Sequence, residues 1–118
     1  MALRPATADD YEAITGLPAP GEWFGLVEAK PHLVEGIGLV YRDVEGAWWV
    51  TFKRCPFVRK IKTAHAGAKQ LLQMARDRGL VVHAIPDPEV DGADRWMVRL
   101  GFRRTERTIG GLAVWDRK

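Results

Sequence analysis

The sequence predicts an α+β (mixed α/β) domain in which one sheet is covered by helices. Three observations predict it. Apolar residues recur at three- and four-residue steps through Val58, Ile61, Ala64, Ala68, Leu71, Leu72 and Ala75, the stripe of a long amphipathic helix. Three strand-like runs separated by short turns precede that helix and read as an antiparallel meander. An apolar run over residues 80–85, LVVHAI, follows it and reads as a strand buried on both faces. A chain of 118 residues holds one core and not two, so residues 1–118 form a single domain.

The elements follow in order. Residues 2–6, ALRPA, form a short strand that Pro5 pushes to an edge or a strand end. Thr7 or Asp9 can cap a helix through Tyr11, Glu12, Ala13 and Ile14, which Gly16 stops. Residues 16–22 are loop by composition. The meander comprises residues 23–29, 34–41 and 47–52, with turns at Lys30-Pro31-His32 and Asp43-Val44-Glu45-Gly46. The long helix is expected over residues 56–79, with Pro56 suited to its first position and Gly79 to its left-handed stop. Its polar face reads Arg59, Lys62, Ala66, Lys69, Gln73 and Arg76. After the strand at 80–85 comes an acidic loop, a short helix over 93–100 ended by Gly101, and a last strand over 112–115.

A net charge of +3 is too small to announce a nucleic-acid binder, so the local distribution matters more than the total. Lys53, Arg54, Arg59, Lys60, Lys62 and Lys69 follow one another with no acid before Asp77. Such a run is a solvated face or a surface for an anionic partner. The single Cys55 excludes an intramolecular disulfide and reads as a buried filler. No two histidines share ligand spacing, so no metal site is expected; His65 reads as a helix-surface residue and His83 as a hydrogen-bonded core histidine. The first ten residues lack an apolar core, and no run approaches a membrane span, so a cytoplasmic protein with no membrane partner is expected. Trp48-Trp49 should place one ring inward and one outward. Five tryptophans exceed what so small a core needs, which points to an exposed one at a partner surface. Asp87, Glu89, Asp91 and Asp94 form an acidic stretch that suits a solvated loop or an amine.

At residues 93–105, ADRWMVRLGFRRT, a resemblance appears. The pattern Ala-x-x-aromatic-x-x-x-Leu-Gly-Phe followed by basic residues resembles the late helix–turn–strand motif of the GNAT N-acetyltransferases. LRPATADD resembles their first strand and helix entry, VEGIGLVYR their third strand, and LLQMARDRGL the end of their acetyl-CoA helix. The resemblance runs from Leu3 to Trp115. It implies a GNAT-like domain with a central mixed sheet of six or seven strands and three helices. In it residues 47–52 and 80–85 are parallel neighbours that splay apart.

The family's acetyl-CoA signature, Gln/Arg-x-x-Gly-x-Gly/Ala, falls here on Thr63, Ala64, His65, Ala66, Gly67 and Ala68. Its glycines let backbone N–H groups close on a pyrophosphate at a helix N-terminus. Ala66 stands where the first glycine belongs. The family's proton-donating tyrosine corresponds to Met97, which has no proton to give, and a common asparagine corresponds to Val90. The fourth strand carries no acid, which leaves Glu35 and Glu45 as candidate bases and Tyr41 or Tyr11 as candidate acids.

Two functions follow. In one, the chain has lost acetyl transfer, needs no cofactor, and is a binding or structural component. Small GNAT-like proteins of this kind resemble those of phage morphogenesis clusters and virions. Lys53, Arg54, Arg59, Lys60 and Lys62 would then meet an anionic ligand or a protein partner. In the other, the chain is an acyl-CoA-dependent N-acetyltransferase whose Arg59, Lys60 and Lys62 replace the glycine loop. Acetyl-CoA would then lie beside Thr63, Ala66, Gly67 and Ala68.

Overall fold

The structure is a computed structural model that describes residues 2–30, 33–54 and 64–117. Strand β1 (Ala2–Pro5) leads to helix α1 (Ala8–Thr15), then to β2 (Trp23–Lys30), β3 (Leu33–Arg42) and β4 (Trp48–Arg54). Helix α2 (Ala64–Asp77), β5 (Val82–Ala84), α3 (Ala93–Arg99), β6 (Arg103–Ile109) and β7 (Leu112–Arg117) complete the chain. The strands form one mixed sheet in the order β1-β2-β3-β4-β5-β7-β6. Every neighbouring pair is antiparallel except β4 and β5. Among the described residues the expected mixed sheet is therefore present, with seven strands, together with three helices.

Helix α1 starts where Thr7 and Asp10 form a reciprocal cap, the Thr7 hydroxyl accepting from the Asp10 N–H and the Asp10 carboxylate from the Thr7 N–H. Arg4 donates to both Asp10 carboxylate oxygens, at 2.7 and 2.9 Å. Hydrogen bonds from Arg4, assisted by those from Thr7, pull the Asp10 carboxyl down to about 2. Gly16 ends the helix at φ 70°, as expected.

The described part of α2 carries the predicted stripe. Ala68, Leu71, Leu72 and Ala75 are buried, while Ala66, Lys69, Gln73 and Arg76 are exposed. The Leu80 N–H reaches back to the Ala75 carbonyl around Gly79, at φ 72°. Residues 55–63, which include the expected helix start at Pro56, the stripe residues Val58 and Ile61, and Cys55, lie outside the described residues.

The sheet separates two apolar layers. Strand residues Leu26, Val40, Val50, Val82 and Trp115 pack with α2 and α3, while Val27, Ile37 and Leu39 pack with Tyr11 and Ile14 of α1. Leu100 and Phe102 are buried, with Gly101 between at φ 91°, and Trp96 packs against the core they belong to.

Two expectations are corrected, and one strand is added. The run at 80–85 is a three-residue strand with Val81 42% exposed. Its alternation turns Val82 and Ala84 to the α2 and α3 side and His83 to the other. None of the five tryptophans is exposed, because Trp23, Trp48, Trp49 and Trp96 are half-buried and Trp115 is buried. A separate strand, β6, occupies residues 103–109; its polar RRTERTI run suits an edge strand whose residues are nearly all exposed.

Candidate functional site

Strand β4 pairs with β3 along its whole length, from Arg42↔Trp48 to Gly36↔Arg54. With β5 it pairs only at Trp48↔Val82 and Trp49↔His83. Past that second rung the two strands part and open a cleft of about 780 Å³. One arm of the V is β4, with Val50, Phe52 and Lys53. The other is Ala84–Asp87 leading to Ala93, Trp96 and Met97 of α3. Gly67, Ala68 and Leu71 of α2 line it as well. The edge of β4 facing the cleft has no strand partner among the described residues beyond Trp49. Backbone N–H and C=O groups on such an edge suit an extended ligand that bears amides.

Glycines on β3 bring the cleft wall close to α2. A Cβ on Gly38 would come within 3.0 Å of Leu71 Cδ2 and of Phe52 Cδ1. Beside them β2 contributes Glu28, which lines the cleft and is only 5% exposed. Glu28, Gly36 and Arg54 occupy one cross-strand row. A carboxyl group buried so far needs polar partners, and its place in the cleft lining makes Glu28 a candidate site residue. Glu28 was absent from the expected candidates. The signal was present, since in WFGLVEAK it stands in step with Phe24 and Leu26, on the face that packs against α2.

Trp96 ties the cleft's walls together. Its Nε1–H donates to Nδ1 of His65 on α2 at 2.9 Å, and its ring packs on Phe52 of β4 with centroids 5.2 Å apart. His65, expected as a helix-surface residue, is half-buried and accepts this hydrogen bond, because a helix from the far arm reaches over it.

No family model matches the sequence, and no curated protein does either. The architecture does find counterparts among solved structures. A candidate acyl-CoA N-acyltransferase from Klebsiella pneumoniae superposes with a TM-score of 0.71 at 13% identity, over 98% of this chain and 95% of that one. The GNAT domain of S. lividans PAT superposes at 0.67 and 13% identity, over 97% and 88%. The fold is GNAT-like. A candidate GNAT-family acetyltransferase from Bordetella pertussis agrees at 0.61 and 17% identity over 81% of this chain, which spans 64% of that protein's length.

Within this GNAT-like frame the positions singled out from the sequence separate. Gly67 and Ala68 line the cleft; Ala66 is exposed on α2. Gly67 also faces Leu3 of β1, whose Cδ2 would meet an added Cβ at 3.1 Å. Lys53 lines the cleft, and Arg54 ends β4 beside it. Arg59, Lys60, Lys62 and Thr63 fall outside the described residues. Met97 is buried on the cleft wall and Val90 is exposed at its rim.

The catalytic candidates are scattered. Glu35 is the extra residue of a β-bulge, because Glu28 pairs with Gly36 and Ala29 with Val34. Glu45 is exposed in the β3–β4 turn, at the opposite end of β4 from the cleft's mouth. Tyr41 lies on the α1 side, in a smaller hollow with Tyr11, Ile14 and Thr15. Burial, followed by neighbouring Tyr11 and Asp43, pushes its phenol up, so it stays protonated at neutral pH. Thr51 and Lys53 line both the hollow and the cleft, so β4 connects them.

Proposed function

We propose that this GNAT-fold chain has lost acetyl transfer and acts as a binding or structural component through its splayed cleft. The observation that carries the reading is Met97. It fills, on the buried cleft wall, the position where the family resemblance places a proton donor to the leaving thiolate. The cleft itself persists, with an apolar lining and an open strand edge suited to an elongated ligand. Lys53, Arg54, Arg59, Lys60 and Lys62 supply positive charge for an anionic ligand or an acidic patch on a partner. Replacing Arg59, Lys60 and Lys62 together with Ala abolishes that association if the cluster is the contact. A cytoplasmic setting, or a phage virion or morphogenesis complex, is the context that the sequence resemblance suggests.

A second reading, an acyl-CoA-dependent N-acetyltransferase, is favoured by Glu28. A carboxylate held in the cleft could accept the proton that an amine nucleophile releases. Release of free thiol from acetyl-CoA, assayed with a mixture of primary amines, separates the two. The first reading expects no release above buffer. Release that disappears in Glu28→Gln would establish the second.

A further inference from the structure

We infer that Trp96 is a latch that decides which ligands the cleft admits, an inference that rests on the binding role proposed above. Trp96 belongs to α3, on the β5 arm of the V, yet both of its polar and ring contacts reach the other arm. Its ring packs on Phe52 of β4, centroids 5.2 Å apart at 59°. Its Nε1–H donates at 2.9 Å to Nδ1 of His65, on the helix that follows β4. One half-buried side chain thus spans the opening between the arms, and because it lines the cleft it occupies space a ligand could use.

The span has consequences for ligand shape. A slim chain lying along the open edge of β4 leaves the latch in place. A ligand whose tail must pass between α2 and α3 has to break the His65 bond and lift the indole from Phe52. A hydrogen bond exchanged for one with water contributes only modestly, so the latch can open at a cost that a ligand offsets. Apparent affinity for such a ligand is then the intrinsic affinity multiplied by the fraction of molecules in which the latch is open. His65 acts as a positioning residue, since its Nδ1 holds the indole across the gap. Phe52 supplies the surface that the ring rests on, in a tilted contact rather than a parallel stack.

Calorimetry with two probes tests this. Acetyl-CoA carries a long polar tail; pantetheine is the arm alone. Trp96→Ala should bind acetyl-CoA at least about tenfold more tightly than the parent, with pantetheine changed by less than about threefold, because only the tailed probe needs the open state. Trp96→Phe and His65→Ala lack the hydrogen bond and should gain about threefold for acetyl-CoA. Both keep an aromatic ring at position 96, so they decide the matter if Trp96→Ala does not melt cooperatively. The latch is refuted if acetyl-CoA binds the folded variants no better than the parent. It is also refuted if pantetheine gains as much as acetyl-CoA, since the ring would then only fill volume. Micromolar binding of acetyl-CoA to the parent would count against the non-catalytic reading alone, because the latch is judged by the ratio of variant to parent.

Discussion

The two ends of β4 meet the same neighbour on opposite terms. At the closed end, Trp48 and Trp49 pair with β5 and polar side chains are tied across the sheet. Trp49 Nε1 donates to Asp43, its ring packs on His83 at 5.3 Å, and His83 Nδ1 sits 2.5 Å from Asp116 of β7. Hydrogen bonding from Trp49, with backbone N–H groups nearby, holds the Asp43 carboxyl below its ordinary range. At the open end, from Val50 to Arg54, strand pairing to β5 is absent, and α2, α3 and Phe52 line the cleft left between the strands. A strand edge without a partner is normally a liability, and this one borders the cleft, where the ligand proposed above would pair with it.

If packing by α2 substitutes for strand pairing at the open end, loss of a core side chain there should have the largest effect. Leu71→Ala should cost about 2–5 kcal/mol in urea unfolding, because Leu71 is 1% exposed and packs above Gly38. The far arm depends on the turn out of α3. Gly101→Val should cost about 1–3 kcal/mol, since Gly101 lies at φ 91°. An added Cβ would also meet Arg117 Nε at 3.3 Å, where that side chain donates to the Leu100 carbonyl. A variant that melts with the parent would show that Leu-Gly-Phe is not needed for this turn. At the closed end, His83→Ala should cost about 1–2 kcal/mol by leaving Asp116 without its ring partner. If acetyl-CoA affinity also changes by more than the error of the titration, the two ends are not independent.

A further effect, read through pH, should come from the β1–α1 corner. Asp10 has a folded pKa of about 2, below its ordinary 3.8. Its contribution to stability is therefore complete above the ordinary value and is lost as pH falls through the folded one. Urea melts between pH 5 and pH 2 should show a shallower loss of stability in Asp10→Asn than in the parent. Equal slopes would assign the acid sensitivity to other carboxylates.

The fold was largely legible because its strongest signals are local. The α2 stripe, the Thr7 cap, the Gly16 and Gly79 stops and the Leu-Gly-Phe turn each carry their own geometry. Strand β6 was hidden because backbone pairing and a polar side chain, Thr105, hold it to β7, and an edge strand exposed on both faces shows no apolar alternation. The site was less legible. Glu28 reads as one charge in an ordinary strand until the register places Gly36 and Gly38 beside it and α2 above it. His65 and Trp96 lie 31 positions apart, and only the return of α3 across the splayed strands makes them partners. That no tryptophan is fully exposed was equally invisible, since composition cannot say how many rings two apolar layers cover in whole or in part.

The central claim is that the open end of β4 binds without transferring an acetyl group. Calorimetry with acetyl-CoA at low and moderate salt tests it most directly. The account predicts an affinity weaker than about 100 μM that falls further with salt, because side-chain cations give screened contacts where backbone N–H groups would not. Micromolar binding that survives moderate salt, accompanied by thiol release, would contradict it and place the chain among working acetyltransferases.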